Sequence, residues 1–260
     1  MILMNTQESL SSKWIKKSMH VLRLSRFFYL DLFSKRAHSN TLTFKTFNRQ
    51  ALADREILYF PGGAYLYQAS FLHHLFLNKL SKALQLPITL IQYPVGKNTN
   101  LISSLDLVET WFQDHQSQKP NTEFILMGDS AGAHFALSLA NQLKSFPFKS
   151  ITLLSPWLDL LCTQATKQKD LILNKKVLIK QAPIYAPHVS NFTDIPPHAK
   201  IHIFMGEEDL LKEDALAFIK AFPSSNYLEY PHMIHDFFLL PIPETKQLLL
   251  DIQKILQRDL

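Results

Sequence analysis

Hydrophobic and polar positions along this chain follow two periods. Short apolar or alternating runs are separated by longer runs in which apolar residues recur every three to four positions. Residues 42–47, LTFKTF, alternate and predict an edge strand. Residues 55–60, 87–94, 124–127, 150–154, 201–205 and 226–230 are short, bounded by turn residues and in several cases wholly apolar, which predicts strands of a buried sheet. Residues 67–86, 100–118, 131–144, 212–222 and 244–256 carry helical spacing between them. Alternation of strand and helix predicts an α/β fold built on a mostly parallel, doubly wound sheet with helices on both faces.

Two stretches depart from that rhythm. Over residues 7–33, Leu10, Trp14, Val21, Phe28 and Leu32 recur at roughly helical spacing with Lys13, Lys16, Lys17, Arg23 and Arg26 between them. This predicts one amphipathic basic helix, or two. The expectation is a helix packed over the main domain as part of a lid, with Trp14, Val21, Phe28 and Leu32 facing inward; peripheral attachment to an anionic membrane is the rival reading. After Trp157 the periodicity fades into a mixed helix around residues 170–180 and a proline-rich approach to Pro197. A single domain over residues 1–260 is expected, with elements from about 1–36 and 160–198 forming a small helical cap above the sheet.

Composition narrows the function classes. An apolar fraction of 47% in 260 residues suffices for one sizeable core. The net charge of +5 and pI near 9.1 come from Lys and Arg that are scattered except near the N-terminus, so no nucleic-acid partner is expected. A lone cysteine, Cys162, permits no intrachain disulfide and reads as a small buried residue. No run approaches a membrane span and the first residues lack a signal-peptide pattern, so a cytoplasmic, soluble protein is expected. His73 and His74 are adjacent, hence face different ways, and no ligand follows at i+4; neither metal nor cofactor is expected. Oligomeric state is left open.

Gly128-Asp129-Ser130-Ala131-Gly132 lies between an apolar strand and an Ala- and Leu-rich helix. In that setting G-x-S-x-G sets a serine on a sharp strand-to-helix turn, where flanking glycines let neighbouring backbone come close. A serine hydroxyl needs a base to take its proton and a carboxylate to orient that base. Ser130, Asp209 and His235 follow in the chain order Ser, Asp, His, each at the end of a predicted strand. Glu207 and Glu208 compete for the acid role and His232 for the base; His202 falls mid-strand and reads as structural. Upstream, Pro61-Gly62-Gly63-Ala64 ends a strand, and such a loop can turn backbone N–H groups toward developing negative charge.

Several of these segments together resemble the hormone-sensitive-lipase-like branch of the α/β-hydrolases, the bacterial esterase and lipase group. The resemblance runs from about Ile57 to Phe237. Gly128 to Gly132 matches that group's G-D-S-A-G elbow, which implies Ser130 as nucleophile. Ser155-Pro156-Trp157-Leu158-Asp159 resembles the segment after the next strand. Ile195-Pro196-Pro197 leading to Gly206-Glu207-Glu208-Asp209 resembles the approach to the acid, and Met233-Ile234-His235-Asp236-Phe237 the histidine loop. These matches favour Asp209 over the glutamates and His235 over His232. Pro61-Gly62-Gly63-Ala64 stands where the family carries His-Gly-Gly-Gly, which implies oxyanion-hole donors at the N–H groups of Gly63, Ala64 and Ala131. Here Pro61 replaces the bracing histidine and Ala64 the third glycine. The implied function is hydrolysis of small-molecule carboxylic esters of short to medium acyl chain. The same machinery could cut amides or peptides, and a catalytically weak ligand-binding member of the fold is the alternative of another class.

Overall fold

A computed structural model describes residues 2–3, 8–22, 41–49, 54–187, 192, 194–196 and 199–258. Eight strands, β1 (Ile2–Leu3), β2 (Thr43–Phe47), β3 (Arg55–Phe60), β4 (Ile88–Gln92), β5 (Glu123–Asp129), β6 (Ser150–Leu154), β7 (Lys200–Gly206) and β8 (Asn226–Tyr230), form one sheet in the order β1-β8-β7-β6-β5-β3-β4-β2. Every neighbouring pair is parallel except β2 with β4. The seven expected strands are all present. The two-residue β1, which pairs Ile2 with Leu228 and Leu3 with Glu229, has no counterpart in the sequence reading, because two residues carry no period.

The helices are α1 (Leu10–Leu22), α2 (Phe71–Leu84), α3 (Leu101–Ser117), α4 (Ser130–Gln142), α5 (Lys175–Tyr185), α6 (Lys212–Ala221) and α7 (Pro243–Arg258). Strand residues alternate between two apolar layers, as a pleat with period two requires. On one face Leu58, Phe60, Phe124, Leu126, Ile151 and Leu153 pack with α3, α4 and α6. On the other Ile57, Tyr59, Ile125, Met127 and Phe204 pack with α2 and α7. Capping fixes where two helices start. Ser70 and His73 close a reciprocal capping box on α2, and Asn100 and Ser103 do so on α3, each satisfying backbone groups that the first turn leaves unpaired.

The amphipathic N-terminal helix is present over Leu10–Leu22, while three of the expected inward positions, Phe28, Leu32 and the side chain of Val21, lie outside the described residues. Its orientation corrects the sequence reading. Trp14 is 71% exposed and Leu10 84%, whereas Ser12 is buried and Ile15 packs on the core. Polar ties set that orientation. The Lys16 ammonium donates to Glu208 Oε1 at 2.8 Å and to the His232 carbonyl at 2.9 Å, and Ser9 donates through N and Oγ to Glu244. Among the described residues no helix is long and apolar enough to cross a membrane, and no cluster of side chains could hold a metal ion.

Candidate active site

Strand register brings the singled-out residues to one edge of the sheet. Phe60 lies beside Gly128, Asp129 beside Leu154, Leu154 beside Phe204 and Gly206 beside Tyr230. The residues that follow these strands are therefore neighbours: Pro61-Gly62, Ser130, Ser155, the acid loop and the histidine loop. Ser130 opens α4 with φ of 49°, a left-handed conformation that costs free energy in a non-glycine residue and is typical of a nucleophile elbow. Its carbonyl accepts from the Trp157 N–H at 3.1 Å, which ties the Ser-Pro-Trp segment to the elbow.

Ser130 Oγ lies 3.0 Å from His235 Nε2, and His235 Nδ1 lies 2.9 Å from Asp209 Oδ2. All three residues are buried, Ser130 at 4% exposure and His235 at 1%. Asp209 Oδ1 accepts from the Leu211 N–H at 2.9 Å, so both carboxylate oxygens are occupied. The competing residues are placed elsewhere. Glu207 takes the His232 N–H, Glu208 takes Lys16, and His232 itself is exposed with Nδ1 3.9 Å from both glutamates. His202 is buried within β7, with Nδ1 3.1 Å from the Asn226 side-chain amide.

Close packing over the elbow has a visible cause. A Cβ on Gly132 would meet the Phe60 carbonyl oxygen at 2.1 Å, and one on Gly62 would meet Asp129 Oδ2 at 2.3 Å and Ser130 Cβ at 2.9 Å. Only glycine allows the loop after β3 to lie on the turn before α4. Gly63, Ala64 and Ala131, the expected donors, all sit in this region. Among the described residues no acceptor takes the N–H of Gly62, Gly63 or Ala64, and Ala131 lies in the first turn of α4, where N–H groups lack helical partners. Gly62, which the sequence placed in this loop but not among the donors, packs against Ser130. The Tyr93 hydroxyl donates to the Pro61 carbonyl at 2.9 Å and so ties down the loop at the position where the resemblance implies a histidine. Ala64 and Tyr65 both adopt positive φ, and Tyr65 is anchored by stacking on Tyr185 at 4.2 Å and by a 2.7 Å contact to His134 Nδ1.

A second carboxylate adjoins the histidine. Asp236 Oδ2 lies 3.3 Å from His235 Nε2, on the nitrogen that faces Ser130. Asp236 adopts φ of 50°, and its N–H donates to Ser155 Oγ at 3.2 Å. Burial disfavours a charged His235, but the carboxylates of Asp209 and Asp236 outweigh it and hold its pKa well above the ordinary histidine value. Burial raises Asp236 to about 6 despite the opposing pull of His235. Beneath them Asp129 is fully buried and accepts from the Tyr59 hydroxyl at 2.6 Å, with His73 Nε2 at 3.2 Å. Since the Ser70 N–H donates to His73 Nδ1 at 3.0 Å, the His73 proton resides on Nε2 and points at Asp129. From the insertion, Asp170 Oδ2 accepts the Leu210 N–H at 2.9 Å, next to the acid.

The family described as alpha/beta hydrolase fold matches residues 57–239. The chain belongs to the α/β-hydrolase family. An esterase of Acinetobacter venetianus is 26% identical over 230 residues, covering 78% of this chain and 75% of the relative. Solved structures show the same α/β-hydrolase architecture. A hormone-sensitive lipase from a metagenome library superposes with a TM-score of 0.79 at 16% identity, over 98% of this chain and all of the other. A putative esterase from Staphylococcus aureus gives a TM-score of 0.73 at 18% identity, over 96% of this chain and 93% of the other. The resemblance read from the G-D-S-A-G, acid and histidine segments and this family assignment agree.

Proposed function

We propose that this α/β-hydrolase is a serine hydrolase of the carboxylesterase and lipase type, acting on carboxylic esters of short to medium acyl chain. One observation carries the reading: Ser130 Oγ, His235 and Asp209 stand in a hydrogen-bonded line at 3.0 and 2.9 Å, on segments that follow β5, β8 and β7 at one edge of the sheet. In the first half-reaction Ser130 Oγ attacks the acyl carbon while His235 Nε2 takes the hydroxyl proton, and Asp209 at Nδ1 holds the tautomer that leaves Nε2 free to do so. The carbonyl oxygen, now negative, is met by backbone N–H groups of Gly63, Ala64 and Ala131, with Gly62 beside them. The imidazolium returns its proton to the leaving alcohol. Water, deprotonated by His235, then releases the acid from the acyl-enzyme. No step in this sequence calls for a metal or cofactor.

The esterase names of the relatives support the substrate class. Burial of Ser130 and His235 supports an enclosed site, walled by segments within residues 1–36 and 160–198 acting as a cap, which limits the acyl chain. Soluble cytoplasmic action belongs to the same proposal. The test is a series of esters of increasing acyl length, paired with the matching amides, on the purified protein and on Ser130→Ala. Ester turnover that peaks at short to medium length, vanishes in Ser130→Ala and greatly exceeds amide turnover is expected. Turnover retained in Ser130→Ala, or amides cut as fast as esters, would overturn the reading.

A further inference from the structure

We infer that the outer face of α1 is a docking surface for an anionic lipid bilayer. Leu10 and Trp14 are four residues apart, so they stand one above the other on a single stripe of the helix. They are the two most exposed large apolar side chains among the described residues, at 84% and 71%. Lys13 and Lys17, also exposed, repeat the same spacing alongside them. The helix contains no acidic residue at all. An apolar stripe with a tryptophan, flanked by lysines and free of acids, is the composition of a helix that lies in a membrane interface, its ring at headgroup level and its ammonium groups on lipid phosphates.

Fold stability does not account for this face. The opposite side supplies every described tie to the body: Ser12 is buried, Ile15 packs on the core beside Met233, Ile234 and Phe237, and Lys16 reaches Glu208 and His232. Lys16 is thereby withdrawn from the outer stripe, while Lys13 and Lys17 stay available. The charge pattern selects the occupant. A second copy of this face would bring Lys13 and Lys17 against their like, whereas a phosphatidylglycerol-type surface complements them. The helix adjoins the loops that carry Asp209 and His235, so a docked molecule holds this edge of its sheet close to the lipid.

The test uses the full chain and vesicles of phosphatidylcholine alone or mixed equally with phosphatidylglycerol, with co-sedimentation as readout. Binding to the mixed vesicles, weakened by added salt and weak on neutral ones, is expected. Trp157 is buried and Trp111 half-buried, so vesicle-induced blue shift and quenching by brominated acyl chains report on Trp14. Leu10→Ala with Trp14→Ala should lower binding about tenfold or more. Lys13→Glu with Lys17→Glu should lose about fivefold per charge, or more, at low salt. Unchanged circular dichroism and thermal unfolding establish that these surface variants fold, so the outcome stands whether or not the chain hydrolyses esters. Absence of binding, binding undiminished in both variants, or an oligomer that the apolar variant splits without any vesicle binding would overturn the inference.

Discussion

Asp236→Asn removes the negative charge beside His235 Nε2 and keeps the shape of the side chain. At 3.3 Å, with an effective dielectric near 20, the bare attraction between that carboxylate and the imidazolium is about 5 kcal/mol. It is reduced because the amide retains a dipole that faces the ring. About 1.4 kcal/mol of lost preference for the charged histidine corresponds to one pH unit. The direction follows from the base role: His235 works only when neutral, and Asp209 and Asp236 together hold it charged to higher pH than usual. Removing Asp236 therefore moves the acid limb of kcat/KM to lower pH, by about one unit or more. Activity near pH 6 rises relative to the plateau. The plateau itself falls modestly, because the imidazolium of the tetrahedral intermediate loses a partner. The assay is a pH–rate profile with a short-chain ester read by direct product quantitation rather than by an ionising chromophore. A limb that stays in place, or moves to higher pH, would refute the electrostatic reasoning.

Asp209→Asn should cost about 10⁴-fold in kcat, whereas Glu207→Gln and Glu208→Gln should change it only slightly, since neither glutamate reaches His235; steady-state kinetics decide. Gly62→Ala forces a methyl group into Asp129 and against Ser130, and should abolish turnover or destabilise the protein by several kcal/mol, read by thermal unfolding beside activity. Tyr93→Phe releases the Pro61 carbonyl and should lower kcat about tenfold with little change in fold stability; an unchanged kcat would show that other contacts hold the loop.

Local patterns made most of the fold legible. The strands announced themselves because residues 57–60 of β3 and 124–127 of β5 each face one of two apolar layers, and the Ser130 elbow because its glycines are fixed by spacing within five residues. Features that need register or a backbone reversal were not legible. Asp236 meets His235 Nε2 only because it adopts a left-handed conformation, and Asp129 meets Tyr59 and His73 only after β3, β5 and α2 pack together. Tyr93 as the brace on Pro61 depends likewise on the position of β4 beside β3. The helical period of α1 was readable, but not its facing. The spacing of Trp14, Val21, Phe28 and Leu32 suggested an inward stripe, whereas Lys16 and Ser9, bonded to Glu208 and Glu244, tie the other side of the helix to the body and leave Trp14 exposed.

The central claim is that Ser130 is a nucleophile activated by His235, and covalent labelling tests it most directly. Incubation with a fluorophosphonate, followed by intact-mass and peptide-mass analysis, should show one phosphonyl group per chain, on the peptide that contains Ser130. Labelling should be absent in Ser130→Ala and slowed by several orders of magnitude in His235→Ala, because members of such a unit act together. A label on another residue, or undiminished labelling of Ser130→Ala, would contradict the account.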